Sequence, residues 1–157
     1  MLVKDVMGCS VRSVKSDARL IEVVSLMCLY RYSGLPVVDD NNLLIGFVAE
    51  KDVLSRMFPS LNELMDGGMA TVDMDELMGK YKDVVKLRVS DIMTKGAVSV
   101  SPDMHVLRAA AVMARYKFRR IPVAVDKRLV GVISMGDVHK AIFRANITQA
   151  VAGCIQD

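Results

Sequence analysis

The chain repeats itself. The stretch from Val3 to Met57 returns as Val89 to Ile142, about 86 residues further on, with a single deletion opposite Asn41. Asp5-Val6-Met7 becomes Asp91-Ile92-Met93, Ser13-Val14 becomes Ser99-Val100, and Leu35-Pro36-Val37 becomes Ile121-Pro122-Val123. Gly46 through Asp52 becomes Gly131 through Asp137. Two copies of so long a period exclude a solenoid and imply two related units packed as a pseudo-symmetric pair. What such a chain does is therefore to be sought between its two similar halves.

Each copy has roughly 55 residues, close to the smallest length that buries a core of its own. The apolar fraction of 52% then implies burial between the halves or between chains. Twelve methionines, no tryptophan, four tyrosines and four phenylalanines imply an adaptable, mostly aliphatic interior. A net charge of +3 is too mild to imply nucleic acid by itself. The start, Met1-Leu2-Val3-Lys4-Asp5, lacks the apolar core and small-residue cleavage site of a signal peptide. The longest apolar run, Leu43 to Ala49, is far short of a membrane span. Cys9, Cys28 and Cys154 form neither an even set nor a Cys-x-x-Cys pair, which fits free thiols in a cytoplasmic protein. His105 and His139 stand apart from the cysteines, so no metal site is expected.

In the first copy Leu20, Val23, Val24, Met27 and Cys28 follow the spacing of one helix face, and Val106, Ala109, Ala110, Met113 and Ala114 repeat it. Ser101-Pro102-Asp103 reads as the N-cap and first turn of the second of these helices, which places His105 one turn inside it. The helices should end near Arg31-Tyr32 and Lys117-Phe118. Apolar runs then follow in pairs, Leu35–Val38 with Leu43–Val48 and Ile121–Val125 with Leu129–Ile133, each pair joined by a polar turn. Such pairs predict antiparallel hairpins. A second helix should begin near Glu50 and Met135. Each unit is thus a short leading strand, a helix, a hairpin and a helix.

The fold class is α/β in the mixed α+β sense. The repeats occupy residues 1–57 and 89–145, a connection residues 58–88, and a tail residues 146–157. In the connection, Ser60-Leu61-Asn62-Glu63 is a capping-box pattern and Gly67-Gly68 a stop. Leu77, Met78, Tyr81, Val84 and Val85 then mark one face of a further helix, so the connection should be ordered. Ile142, Ile147, Val151 and Ile155 offer an apolar stripe for a homodimer contact, which a two-fold axis would build from one self-complementary patch.

The leading Asp-x-Met-Thr (Asp91-Ile92-Met93-Thr94), the hydrophobic-Pro-Val strand and the Gly-x-x-Ser/Thr-x-x-Asp segment resemble the cystathionine-β-synthase (CBS) domain family in its tandem arrangement. The resemblance covers nearly the whole chain apart from the connection and tail. It implies β-α-β-β-α units with pseudo-twofold symmetry, clefts between the paired repeats, and an adenine nucleotide (AMP, ADP or ATP) or another adenosyl ligand such as S-adenosylmethionine or NAD(H) as a regulatory ligand. It also implies regulation of a separate, unidentified protein, since the chain looks like a stand-alone module with no room for a catalytic domain.

By its position at the strand-to-helix junction, Asp137 suits vicinal hydroxyls such as those of a ribose, while Ser134 and nearby N–H groups suit phosphate. Ser134 and Asp137 equally make a Ser-x-x-Asp cap that is useful with no ligand. The resemblance favours the ligand. It also implies that Arg120, just before Ile121-Pro122, holds phosphate through its planar fork, with Arg119 or Lys117 as a second charge. Adenine would lie against Ile121, Pro122 and the backbone of Val98, Ser99 and Val100, with Met135 beside Ser134.

The first copy departs from this pattern. Ala49 stands for Ser134, and Ser33-Gly34 for Arg119-Arg120. Asp52 and Lys51, with Leu35 and Pro36, would make a weaker second cleft, and Glu50 opposes an anion there. Three competing readings remain. A ligand-free dimerisation module would use Arg119 and Arg120 as surface charge. Nucleic-acid binding through the basic Lys117–Arg120 run has only Tyr116 and Phe118 for stacking. An enzyme would need a nucleophile–base pair, a phosphate loop or a metal cluster, and the sequence has no motif for any of these.

Overall fold

The computed structural model describes residues 1–58 and 73–153. The helix expected from Ser60-Leu61-Asn62-Glu63 and its Gly67-Gly68 stop lie outside the described residues, as do the last four residues of the tail. Two compact units emerge, and they are not the sequence repeats. One contains Arg12–Ala97; the other joins Met1–Val11 to Val98–Asp157. The leading segment of each repeat therefore folds into the unit that carries the other repeat's hairpin.

In the Arg12–Ala97 unit, α1 (Leu20–Tyr30) leads to β1 (Gly34–Val38), β2 (Leu44–Ala49) and α2 (Glu50–Ser55). Further along come α3 (Met74–Val84), the short α4 (Val89–Ile92) and β3 (Thr94–Lys95). The strands form an antiparallel sheet in the order β1-β2-β3. The core gathers Leu20, Val23 and Met27 from α1, Leu35, Val37 and Val48 from the sheet, and Val84, Val89 and Ile92 from the returning segment. The other unit repeats the plan with α5 (Val106–Tyr116), β4 (Arg120–Val125), β5 (Arg128–Ser134) and α6 (Met135–Gly153). Its core takes Val3 from the chain start together with Val100, Val106, Ala109, Met113, Ile121, Val123, Ile133 and Val138.

Each leading segment is built around a turn and not the single short strand expected. Val3–Asp5 is a 3-10 turn and Val89–Ile92 a helical one. The aspartate of each Asp-x-Met explains why. Asp5 Oδ2 accepts from the Leu2 N–H and Asp91 Oδ2 from the Arg88 N–H, both at 2.8 Å, tying the carboxylate back onto the turn's entrance. Antiparallel bridges flank each turn: Leu2 with His105 and Arg88 with Arg19 before it, and Gly8 with Val132 and Thr94-Lys95 with β2 after it. The methionine then lies on the hairpin. A Cβ on Gly131 would stand 2.6 Å from Met7 Sδ, and one on Gly46 would stand 2.7 Å from the Thr94 carbonyl oxygen and 3.0 Å from Met93 Sδ. These glycines are required by the close approach of the crossing segment. Gly46→Ala is expected to destabilise the protein by about 1–3 kcal/mol, the usual cost of overpacking. Gly131→Ala should cost less, because its closest contact, Met7 Sδ, belongs to a flexible side chain and its backbone contact, Gly8 O, stands at 3.1 Å, whereas Thr94 O is backbone at 2.7 Å. Urea unfolding of the two variants checks the order.

Four local expectations are corrected. Ser101-Pro102-Asp103 is a turn and not the helix start, with the Asp103 N–H bonded to Ser101 Oγ at 3.2 Å. The Pro102 and Met104 carbonyls accept from the Lys4 and Val3 N–H groups at 2.9 and 2.8 Å, so α5 begins only beyond them. His105 is its N-cap, with Nδ1 accepting from the Leu107 N–H at 3.3 Å. Cys28 and Ala114 are exposed, since a position eight residues on has turned about 80° from the first. Met78 is exposed too, while Leu77 and Val84 carry the buried face of α3. Ile142 packs inward against the core and so leaves the expected tail stripe.

Both hairpin helices end in the same way. Arg31 and Lys117 take the left-handed conformation, with φ of 55° and 57°. The next residue's N–H then bonds back to Met27 O at 3.0 Å and to Met113 O at 2.8 Å. The β4–β5 turn has two consecutive left-handed residues, Asp126 and Lys127, the geometry whose twist matches a two-residue hairpin.

Candidate ligand-binding site

In the second-repeat unit the strand register assembles most of the expected residues at one edge. Arg120 lies opposite Ser134 and Pro122 opposite Val132. Residues paired this way share a sheet face, so Arg120, Pro122, Val132 and Ser134 form one patch. Val100 bridges in parallel to Val123, its N–H bonded to Pro122 O and its carbonyl oxygen to the Ala124 N–H, both at 3.0 Å. Val98 and Ser99 therefore run in beside Pro122. The Met135 N–H donates to Arg119 O at 3.0 Å, which fixes the start of α6 against the start of β4.

Asp137 sits in the first turn of α6, half-buried. Its Oδ2 accepts from the Ser134 N–H at 2.9 Å and from Ser134 Oγ–H at 2.6 Å, while the Asp137 N–H donates to Ser134 Oγ at 3.1 Å. The capping pattern legible in the sequence is thus present. Both of these carboxylate bonds end on Oδ2. A carboxylate has about four lone-pair sites, so this cap by itself does not use up the capacity for hydroxyl donors. Ser134 Oγ, in contrast, is committed to Asp137.

The other expected residues separate into wall and rim. Pro122 and Val100 are buried, and Val98 and Arg120 are half-buried; Ile121, expected in the site, instead turns its side chain to the opposite face of β4 with Ile133 and is fully buried in the core. Arg119, Lys117, Ser99 and Met135 are exposed. Lys117 is the left-handed cap of α5. The flanking rings of Tyr116 and Phe118 stack on each other at 5.6 Å, and Phe118 also packs against the core.

The first-repeat unit repeats the backbone and changes the side chains. Val14 bridges in parallel to Val37, and the Glu50 N–H donates to Ser33 O at 3.0 Å. Asp52 Oδ2 accepts from the Ala49 N–H at 2.8 Å, so the cap survives without the hydroxyl. Leu35 and Pro36 are buried, Asp52 is half-buried, and Lys51 is exposed. Sequence reasoning missed Phe47. It lies opposite Pro36, and Gly34 lies opposite Ala49; the ring of Phe47 covers Gly34. The signal was in the alignment of the repeats, where Phe47 matches Val132 and Gly34 matches Arg120.

Among the described residues no group of three or more His, Cys, Asp or Glu side chains could hold a metal ion. Cys9 and Cys28 are free and exposed. No helix among the described residues is long and apolar enough to cross a membrane.

Two edges of this kind, each with a parallel bridge, a hydrophobic-Pro strand and an aspartate-capped helix start, define a tandem-repeat module. The CBS domain profile matches residues 3–58 and 89–144, and the chain belongs to the CBS domain family. It is 30% identical over 154 residues to the uncharacterized protein MJ1426 of Methanocaldococcus jannaschii, covering 90% of this chain and 91% of that one. It is 29% identical over 136 residues to the chloroplastic CBS domain-containing protein CBSX2 of Arabidopsis thaliana, though it spans only 57% of that protein's length. The crystal structure of CBSX2 in complex with AMP matches with a TM-score of 0.71 at 28% identity, covering 92% of this chain and 98% of that one.

Proposed function

We propose that this protein is a regulatory sensor of adenine nucleotides whose main site is the second-repeat edge. One observation carries the reading. Arg120 and Asp137 stand at a single edge, linked through Ser134, which pairs with Arg120 across the strands and bonds to Asp137 at 2.6 Å. A cation suited to phosphate and a carboxylate suited to ribose hydroxyls are therefore held by one hydrogen-bonded junction. Asp137 takes the ribose, Arg120 takes the phosphate, with Arg119 and Lys117 adding charge, and adenine rests on Pro122 and the backbone at Ile121 and Val98–Val100. The similarity to CBSX2, solved with AMP, supports AMP as the first nucleotide to test. ADP and ATP follow by the same chemistry.

A thermal-shift screen with AMP, ADP, ATP, S-adenosylmethionine and NAD(H) tests it. At a hundredfold excess over Kd, a ligand bound only by the folded state adds about 2.7 kcal/mol of stability, a plain rise in Tm. The expected result is a rise with AMP that exceeds the rise with adenosine at equal concentration. A response to S-adenosylmethionine with none to any nucleotide would remove Arg120 from its phosphate role.

A further inference from the structure

The two edges differ by an exchange of size. On the shared sheet face the second-repeat unit carries Arg120, Pro122, Val132 and Ser134; the first carries Gly34, Pro36, Phe47 and Ala49. The large residue has moved from one strand to the other. A Cβ built on Gly34 would stand 2.5 Å from Phe47 Cε1, 3.0 Å from Cζ and 3.0 Å from the Val48 carbonyl oxygen. The ring thus leans from its own partner, Pro36, to the diagonal neighbour, as long side chains do across an antiparallel pair. Any side chain at position 34 competes with that ring for one space. A valine, as at position 132, ends at Cγ and does not extend that far along the strand.

Resting on the nucleotide reading above, we propose that Phe47 is a specificity-determining residue. Its ring occupies the place from which a phosphate-binding side chain would grow, and it restricts the first-repeat edge to an uncharged nucleoside. Three features point the same way. Asp52 retains the capped carboxylate suited to ribose, its Oδ2 accepting from the Ala49 N–H. Glu50, exposed at the start of α2, repels a phosphate. The ring adds an apolar surface in place of a cation. One edge reads a charged ligand and the other an uncharged one of the same class.

The exchange is testable in both directions by calorimetry with AMP and adenosine on the full chain. Val132→Phe places a ring beside Arg120 while keeping the arginine. Its preference for AMP over adenosine at the second-repeat edge should fall at least tenfold, with adenosine affinity changed far less. An unchanged preference would overturn the proposal. The reciprocal variant, Gly34→Arg with Phe47→Val, should take up a second equivalent of AMP per chain; one equivalent, in a protein whose circular dichroism matches wild type, would also overturn it. Gly34→Arg alone, with the ring in place, should stay at one equivalent, and a second equivalent there would show that Phe47 is not the determinant. The wild-type arm separates the two claims: wild type without AMP binding defeats the nucleotide reading itself, whereas wild-type binding with either failed exchange defeats only the role of Phe47.

Discussion

Replacing Arg120 by alanine is expected to weaken AMP binding by about ten- to a hundredfold, because a hydrogen bond to a charged group is worth roughly 1.5–3 kcal/mol. Adenosine, which has no phosphate, should bind the variant nearly as well as wild type. Asp137→Ala should weaken both ligands by a similar factor, since both carry the ribose. The aspartates then separate structure from binding. Asp137 and Asp52 each cap a helix start through Oδ2, so each alanine variant should lose about 0.5–2 kcal/mol of stability. Only Asp137→Ala should also lose AMP. Calorimetry alongside urea unfolding reads both quantities. Equal losses of AMP affinity in the two variants would mean that the edges are equivalent after all.

Deleting residues 1–8 should have the largest effect on stability, and it should strike the half of the chain that is distant in sequence. Val3 is fully buried in the second-repeat core. The deletion also strands partners of backbone bonds, since Gly8 and Val132 exchange bonds of 2.9 and 3.1 Å. Losing a buried valine costs about 1.5–3 kcal/mol, and each buried polar group left without a partner about 1–3 kcal/mol more. The sum approaches the whole stability of a small domain, about 5–15 kcal/mol. Hydrogen exchange should therefore show protection lost first at Ile121–Ile133 and retained longer at Leu35–Val48. The reverse order would contradict the assignment of the leading segment to the second-repeat unit.

The exchange of leading segments was not legible in the sequence, and the reason is physical. Self-similarity shows that Asp5-Val6-Met7 and Asp91-Ile92-Met93 do the same job. It is silent on which hairpin each serves, because Gly46 and Gly131 are equally good platforms for either methionine. The same exchange defeated the expected cap at Ser101-Pro102-Asp103. Carbonyls that a helix start would leave to itself are taken by Val3 and Lys4, partners about 100 residues away along the chain.

The elements themselves were legible because they rest on local rules. Helix periodicity placed Leu20, Val23 and Met27 inward, and paired apolar runs gave both hairpins. The ends of those runs then fixed which residues meet at each edge. Register did the rest: once Pro122 faces Val132, Arg120 must face Ser134. Phe47 was missed because each repeat was compared with the family pattern position by position. Its effect falls on the diagonal neighbour Gly34, a relation that only the paired strands reveal.

A crystal structure of the protein grown with AMP tests the central claim most directly. The account places the ribose hydroxyls within hydrogen-bond distance of the Asp137 carboxylate and the phosphate on Arg120, with no AMP phosphate at Ser33-Gly34. Phosphate density beside Asp52 and Gly34, with the Asp137 edge empty, would contradict it.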